Sequence, residues 1–389
     1  MAGGAVASLR SAVFPLWSLY KPGRQVKLPA MTDIIIIGGG IAGVSAAATL
    51  SAHAQVTLLE GEAQLGYHAS GRSAAVFLAD YGNDVVRALN HASKDHHLHA
   101  NDGVLSPRGM MLVARPFERD GFLREVSSVG MQEISKDEAR AIIPILHPEN
   151  TAFIAYREDF FDLDADRLLQ NYRKTALRNG AEILTNSPVG EITKTATGWR
   201  VKAGEAVYDA SVLVNAAGAW VDEIAKMAGI PPLGFRALRR SMARLPAPGG
   251  HNVSGWPFLI SVFERWYAKP DAGGWIVSPA EEDAMHPHDA WADDMVLAEG
   301  LARYEEMVTE PVTRLQTSWA GLRTFAPDQT LVLGADINEP EFYWLGGQGG
   351  YGFQSAPAAS TLIADLVLGR KPELPEDIVQ ALSPHRFSM

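Results

Sequence analysis

The chain has 389 residues, of which 47% are hydrophobic and 20% are charged, so it is long enough for about two domains with large cores and is neither disordered nor collagen-like. Its 45 acidic residues outnumber 34 basic ones, and the net charge of −11 argues against general affinity for nucleic acid. Cysteine is absent, which excludes disulfides, thiolate metal ligands and a cysteine nucleophile.

Residues 1–30 differ in charge from the rest of the chain. They contain four basic residues and no acidic one. We expect an unstructured extension ahead of a second start at Met31, and a signal or transit peptide is the alternative. This segment is excluded from the prediction of the fold.

A strand, a glycine-rich turn, a helix and a second strand are predicted next. Four consecutive isoleucines at 34–37 predict a parallel strand that is buried on both faces. Residues 44–53 predict a helix of small side chains, and residues 55–59 predict a strand that ends in Glu60. A carboxylate at the end of the second strand is typical of a group that binds a ribose diol.

The turn after the first strand has the pattern G-x-G-x-x-G. Gly38 permits the tight turn, Gly40 lets a pyrophosphate approach the backbone, and Gly43 lets the helix pack closely on the strand. The helix N-terminus, which includes Ile41 and Ala42, would direct its N–H groups at the phosphates. Together with Glu60, this unit predicts a dinucleotide site.

A Gly/Ser-rich loop, residues 62–75, follows the second strand, where an NAD-binding domain would continue with further strand–helix units. The loop resembles that of the FAD-dependent amino-acid oxidoreductases, the superfamily of D-amino-acid oxidase, glycine oxidase and sarcosine oxidase. The resemblance implies noncovalently bound FAD, with Ser73 and Ala74 beside the N5 edge of the flavin. It also assigns Gly71 and Arg72 to the cofactor site.

Later segments are expected to return to the cofactor. Residues 164–179 predict a helix and residues 182–184 a strand, after which the resemblance implies that the backbone of Val189 holds the adenine. Strand 211–214 leads into a turn of small residues, 215–220, where backbone approaches the cofactor again. The residues of this turn assigned to the cofactor are Ala217, Gly218 and Trp220.

The C-terminal third contains a glycine turn between a predicted strand at 330–333 and a predicted helix at 355–368. Five of the seven residues at 346–352 are glycine. The superfamily places this turn against the flavin pyrimidine, where a helix N-terminus would stabilise negative charge on the reduced ring. The residues assigned to the cofactor here are Gly347, Gln348, Gly349, Gly350, Tyr351, Gly352 and Gln354.

These segments predict an α/β fold, in which a Rossmann-like FAD-binding domain carries an inserted α+β substrate domain built on an antiparallel sheet. The FAD-binding domain is expected to be discontinuous, comprising residues 31–100, 161–235 and 319–389. The substrate domain is expected to comprise residues 101–160 and 236–318.

The substrate end is predicted from a resemblance to one subgroup, bacterial D-arginine dehydrogenase. Sequence segments such as residues 319–325 resemble that subgroup. The resemblance implies that Arg240 and Arg323 clamp the substrate carboxylate, since a guanidinium binds a carboxylate bidentately. It further implies that Tyr267 and Tyr81 add hydroxyl donors, with Tyr81 on a lid over the pocket.

Three positions in the expected side-chain pocket depart from that subgroup. Its acidic reader of the cationic side chain, a histidine and a threonine are replaced here by Met110, Val76 and Leu78. A thioether in place of a carboxylate removes the charge that selects a cation and leaves an apolar wall. We therefore expect a preference for apolar or small D-amino acids over D-arginine.

The expected reaction is hydride transfer from the amino-acid Cα to flavin N5, giving an imino acid that hydrolyses to a 2-keto acid and ammonia. A glycine or sarcosine oxidase, a 2-hydroxy acid dehydrogenase of the same superfamily and an FAD-binding subunit of an electron-transfer complex are the alternatives. The electron acceptor, O₂ or a quinone-type molecule, and the choice between monomer and homo-oligomer stay open. We predict a cytoplasmic protein with no metal site. We also predict no membrane span, since no stretch reaches ~18 uncharged apolar residues.

Overall fold

The computed structural model describes residues 32–387, so the predicted extension at 1–30 and the second start at Met31 lie outside the described residues. The strands are β1 (Ile34–Ile37), β2 (Val56–Leu59), β3 (Val76–Phe77), β4 (Leu105–Pro107), β5 (Met110–Ala114), β6 (Gln132–Glu133), β7 (Phe153–Arg157), β8 (Phe161–Leu163), β9 (Glu182–Leu184), β10 (Val189–Thr195), β11 (Gly198–Ala203), β12 (Ala206–Ala210), β13 (Val212–Asn215), β14 (Arg236–Leu245), β15 (Phe258–Ser261), β16 (Tyr267–Asp271), β17 (Gly274–Ser278), β18 (Asp283–Met285), β19 (Thr317–Phe325), β20 (Val332–Ala335) and β21 (Phe342–Gly346). The α-helices are α1 (Ile41–Leu50), α2 (Asp84–His99), α3 (Arg119–Val129), α4 (Lys136–Ile142), α5 (Ala165–Arg178), α6 (Val221–Met227), α7 (Asp294–Glu305), α8 (Gly352–Val367) and α9 (Glu376–Leu382).

A six-stranded sheet in the order β20-β21-β13-β1-β2-β9 forms the centre of the cofactor domain. Its strands are parallel except β20, which runs antiparallel to β21. The four isoleucines of β1 are buried because α1, α5 and α8 cover one face of the sheet and the hairpin strands β10–β12 cover the other. This arrangement confirms the predicted Rossmann-like α/β fold.

A nine-stranded sheet forms the second domain, in the order β18-β14-β17-β16-β15-β5-β7-β6, with β19 paired to β14. Pairing is antiparallel apart from β5 and β15, which are parallel to each other. Residues of the central strands β5, β7, β15, β16 and β17 alternate between two apolar clusters: one cluster packs under α4 and α7, and the other faces the cofactor domain. The predicted inserted sheet is therefore mixed at one pair of strands.

The strand β19 spans the domain boundary that the sequence predicts between residues 318 and 319. It pairs with β14 at nine consecutive positions, from Thr317 opposite Arg244 to Phe325 opposite Arg236. The boundary predicted between residues 318 and 319 therefore cuts through a strand of the substrate sheet. Local sequence could not show this, because β14, the partner of β19, lies far earlier in the chain.

The described helices were compared with the requirements for a membrane-spanning helix. Within residues 32–387, no helix combines the length and the apolar character that crossing a bilayer requires.

Candidate active site and cofactor cleft

The turn between β1 and α1 brings three backbone segments into contact. Gly38 has a φ of +110°, and a Cβ at this position would lie 2.4 Å from the carbonyl oxygen of Ala216. A Cβ at Gly43 would lie 1.9 Å from the carbonyl oxygen of Gly38. Only glycine fits both positions, so the chain can make the close backbone approaches that a phosphate-binding turn before α1 requires.

The end of β2 carries the acid that the sequence predicts. The Glu60 carboxylate accepts hydrogen bonds from the backbone N–H of Gly39 at 2.5 Å and from that of Glu62 at 2.8 Å. It borders a cavity of about 1300 Å³ that Val189 and Trp220 also line. This is where the adenosine end of a dinucleotide would lie.

A second cavity, of about 1400 Å³, adjoins the first, and both volumes include their openings to solvent. We call the cavity beside Glu60 the outer cavity and the second one the inner cavity. Gly40, Ser70 and Arg72 line both cavities, so the two form one continuous cleft. The structure brings the following predicted cofactor residues to this cleft: Gly38, Gly40, Ile41, Ala42, Glu60, Arg72, Ser73, Ala74, Val189, Ala217, Gly218, Trp220, Gln348, Gly349, Gly350, Gly352 and Gln354.

Four predicted cofactor residues do not line the cleft. Gly43 packs against Gly38, and a Cβ on Gly71 would lie 2.4 Å from the carbonyl oxygen of Gly66, so these two shape the turns behind the cleft. Gly347 has a φ of +74° and lies against Phe235. Tyr351 caps α8 and packs on the ring of Tyr81, with 5.5 Å between the centroids.

The glycine turn before α8 closes the inner end of the cleft. Gly349 has a φ of +51°, and its N–H donates to the carbonyl oxygen of Thr324 at 2.8 Å. The helix begins at Gly352, three residues before the predicted start, and its first three residues line the same cavity as Gly349 and Gly350. The side chain of Gln354 accepts the N–H of Leu78 at 2.8 Å and ties this turn to the pocket wall.

The two predicted arginines reach the cleft from neighbouring strands. In the β14–β19 register Arg240 lies opposite Gly321 and Leu238 opposite Arg323, so the two arginines are diagonal neighbours on one face. Both line the inner cavity. Arg239 lies on the other face of β14 and pairs with Asp283 instead.

Glu264 is a residue of the cleft that the sequence analysis missed. One carboxylate oxygen lies 2.7 Å from Nη1 of Arg240 and 3.9 Å from Nη1 of Arg323, and the other accepts the Tyr81 hydroxyl at 3.0 Å. Burial alone would raise the pKa of Glu264, but Arg240 and Arg323 outweigh it and hold the pKa below its usual range. Burial and the charge of Glu264 raise the pKa of Tyr81 well above its usual range, so this hydroxyl stays protonated and donates.

No local signal in the sequence marks Glu264. It sits in a turn between β15 and β16, where both Phe263 and Glu264 have positive φ values, 62° and 47°. Such a conformation is costly for residues other than glycine and is retained only where the surrounding structure fixes it. Only the packing of β15 and β16 directs this carboxylate at two arginines from other strands.

The two arginines differ in how much of their hydrogen bonding is satisfied. Arg240 also donates to the half-exposed carboxylate of Glu282 at 2.9 Å, so two acidic partners balance its charge. The guanidinium of Arg323 makes no direct hydrogen bond within the described part of the chain and lies against Gly350. Arg323 is therefore the cation with more donors to offer an incoming anion.

One wall of the inner cavity is apolar. Met110 (7% exposed), Val76 and Leu78 line it as expected. Sequence reasoning missed their apolar neighbours, which are Phe160, Met242, Phe258 and Ile260. Tyr267 belongs to this wall, because its ring stacks on Phe258 with 5.3 Å between centroids and its hydroxyl contacts Met242 Sδ at 3.8 Å.

A buried lysine fixes the loop that carries Ser73 and Ala74. Nζ of Lys269 donates to the carbonyl oxygen of Ala74 at 3.0 Å and lies 2.6 Å from Asp162 Oδ1. The neighbouring Ala75 has a φ of 41°, so the loop bends sharply at this point. Lys269 therefore holds this segment of the cleft wall in a shape that the sequence of the segment does not enforce by itself.

Comparison with known proteins gives one family match and several distant relatives. The family model described as "FAD dependent oxidoreductase" (DAO) matches residues 33–366. The chain is 25% identical to the tRNA 5-methylaminomethyl-2-thiouridine biosynthesis bifunctional protein MnmC of Thiobacillus denitrificans, covering 92% of this chain but 60% of that protein's length. It is 24% identical to a monomeric sarcosine oxidase of Streptomyces avermitilis, covering 86% of this chain and 93% of that protein.

Among solved structures, L-proline dehydrogenase from P. horikoshii superposes with a TM-score of 0.77. The match covers 93% of this chain and 99% of that chain at 21% identity. At this identity the likeness shows the fold.

Proposed function

This chain belongs to the FAD-dependent oxidoreductase family and uses FAD, and from this premise we propose that it oxidises amino acids, with D-amino acids of apolar or small side chain as its substrates. Bound noncovalently in the cleft, FAD supplies the acceptor for the two electrons that the substrate loses. The resulting imino acid takes up water in solution and yields a 2-keto acid and ammonia. The location in the cytoplasm and the resemblance to D-arginine dehydrogenase stay predictions.

One observation carries this proposal: the inner cavity contains a seat for a carboxylate. The Glu264 carboxylate lies between two guanidinium groups and a tyrosine hydroxyl. A substrate carboxylate has the same charge and geometry, so it can take the same donors once Glu264 withdraws. Arg323, with its unsatisfied donors, is the first anchor, and Arg240 and Tyr81 complete the seat.

The apolar wall supports the preference for apolar side chains. By the resemblance, Met110 replaces the carboxylate that would pair with a cationic side chain, and it lines the inner cavity together with Phe160, Met242 and Phe258. A guanidinium placed there would lose its hydration without gaining a partner. An aliphatic side chain would instead displace water from this wall, which is favourable.

The chain's own residues orient and desolvate the substrate. A carboxylate held at two points fixes the direction of the Cα–H bond, and this fixed geometry supplies much of the rate. No separate base is required if the amine binds neutral, because the nitrogen lone pair forms the C=N bond as the Cα–H bond breaks. The walls around Tyr267 exclude water from the reacting centre.

A second candidate is the oxidation of N-substituted amino acids or glycine. Two of the matching proteins are named for sarcosine and L-proline, which are both secondary amines. The carboxylate seat would serve such substrates equally, as it would 2-hydroxy acids. The remaining alternative, an FAD-binding subunit without activity of its own, predicts a yellow protein that no substrate reduces.

Anaerobic mixing of the purified holoprotein with a substrate panel tests the proposal. The panel holds D-leucine, D-methionine, D-arginine, their L-enantiomers, glycine, sarcosine and 2-hydroxy acids, and bleaching of the flavin absorbance reports reduction. We expect fast bleaching by D-leucine and D-methionine and slow bleaching by D-arginine. Bleaching by sarcosine or a hydroxy acid alone would replace the proposal with the second candidate, and faster bleaching by D-arginine would contradict the role of the apolar wall.

A further inference from the structure

The segment between β18 and α7 borders the cofactor cleft. We call residues 286–291 the strap. His288 and Ala290 of the strap line the outer cavity together with Glu60 and Val189. The strap comes from the substrate domain, so two domains enclose the adenosine end of the cleft.

Arg72 holds the strap through several bonds. Its Nη1 donates to the carbonyl oxygens of Ala290 at 2.8 Å and Ala320 at 2.9 Å, and its Nε donates to that of Tyr67 at 3.2 Å. Its Nη2 lies 2.5 Å from Oδ1 of Asp289. Protein groups thus bind all three nitrogens of the guanidinium, so Arg72 ties the cleft wall to the strap.

Asp289 connects the strap to the Gly/Ser-rich loop a second time. Its Oδ2 accepts the hydroxyl of Tyr67 at 3.1 Å, and Nδ1 of His68 lies 4.0 Å from its Oδ1. One carboxylate thus bridges side chains of a loop that lies far from it along the chain. The hydrogen bond from Arg72 lowers the pKa of Asp289, so the carboxylate is charged at neutral pH.

Few apolar contacts fix the strap. Of residues 282–296, all of which the structure describes, only Ala290 is buried. The preceding strand β18 pairs with β14 at three positions, and its Asp283 and Ala284 are exposed. A segment with so little buried apolar surface opens at low cost once its polar contacts are broken.

From these contacts we infer that the strap belongs to the cofactor site and that Asp289 is a positioning residue that latches it across the adenosine end of FAD. The latch acts through Arg72 and Tyr67, and it does not touch the substrate end. Breaking the Asp289 contacts lets the strap move away from the cleft, so FAD leaves faster. The inference is independent of which substrate the protein oxidises.

Release of FAD from the holoprotein tests this inference, followed as the gain of free-FAD fluorescence after dilution. We expect Asp289→Asn to raise the rate constant of release on the order of fivefold, the scale of a partly exposed charge pair, and Asp289→Glu to restore part of the loss. Release from the wild-type protein should speed up with salt, whereas release from Asp289→Asn should depend less on salt, because screening acts on the charge pair.

The matched control is Asp209→Asn, which breaks the exposed Arg200–Asp209 pair (2.8 Å) on the β11–β12 hairpin. We expect this variant to release FAD at the wild-type rate, and the melting temperature of the apoprotein to be unchanged by either substitution to Asn. Equal release rates for wild type and Asp289→Asn would overturn the inference. So would an increase of the same size in Asp209→Asn, since that result would report general destabilisation.

Discussion

At the cofactor end of the cleft the chain presents backbone, and at the substrate end it presents charged side chains. Gly38, Gly40 and Gly43 come from one short turn, and their role depends on the absence of a Cβ. Arg240, Arg323 and Glu264 come from three separate segments and depend on one another for charge balance. The cofactor end is thus specified locally, by glycines within one short turn, whereas the substrate end is specified by the tertiary fold, which brings charges from separate segments together.

The largest effect is expected from removing the less-satisfied cation at the substrate end. Arg323→Met keeps much of the side-chain volume but removes the charge-assisted hydrogen bonds, so kcat/KM should fall on the order of a few hundredfold, mainly through KM. Steady-state kinetics with the best substrate of the panel measures this. Arg244→Met, which breaks the pair with Asp271 outside the cleft, is the control, and an unchanged KM in Arg323→Met would dismiss the carboxylate seat.

Gly40→Val probes the backbone end. A Cβ at Gly40 meets only the Ser70 hydroxyl, at 3.1 Å, so the protein should fold while the added side chain occupies the space of the phosphates. We expect the dissociation constant for FAD to rise on the order of a hundredfold, measured by titration of the apoprotein. Gly190→Val is the matched control, because nothing lies within 4 Å of its Cβ, and wild-type affinity in Gly40→Val would show that the turn does not bind phosphate.

Met110→Glu asks whether charge at the apolar wall selects the substrate. A carboxylate there would offer a partner to a cationic side chain, so the ratio of kcat/KM for D-arginine to that for D-leucine should rise about tenfold. Met295→Glu adds the same charge at a 70% exposed position on α7 and should leave the ratio unchanged. A ratio that moves equally in both variants would mean that long-range charge, and not the wall, is responsible.

The smallest effect is expected from Glu264→Gln, which leaves the shape of the turn but removes the competing charge. Arg240 and Arg323 would then attract an external carboxylate more strongly, so benzoate should bind about threefold more tightly, as measured by perturbation of the flavin spectrum. Glu282→Gln removes the half-exposed partner of Arg240 and should change binding less. Weaker binding in Glu264→Gln would instead show that Glu264 holds the arginines in place.

The sequence predicted the cofactor domain well because its signals are local. The isoleucines at 34–37, the glycine turn and the helix that follows lie within one short stretch of chain, and the structure has strand, turn and helix in that order. The helix predicted at 164–179 and the strand predicted at 182–184 are likewise present. Each depends on periodicity or on a turn residue that acts over a few positions.

The substrate end was predicted only in part. Arg240, Arg323, Tyr267 and Tyr81 came from resemblance, and they do line one cavity. Glu264 had no signal, because its importance arises from its distance to arginines on other strands. Asp289 had no signal for the same reason, since its partners Arg72 and Tyr67 belong to a much earlier segment of the chain.

By itself, the sequence determined the strand, the glycine-rich turn and the helix on which it predicts a dinucleotide site, because the absence of side chains and the polarity of a helix end are properties of a short segment. The tertiary structure alone decided which charges meet: the seat of Glu264 between two arginines and the latch of Asp289 on Arg72. Electrostatic interactions act over a few ångströms of space whatever the separation along the chain. Their partners are therefore fixed only when strands and loops distant in sequence have packed together.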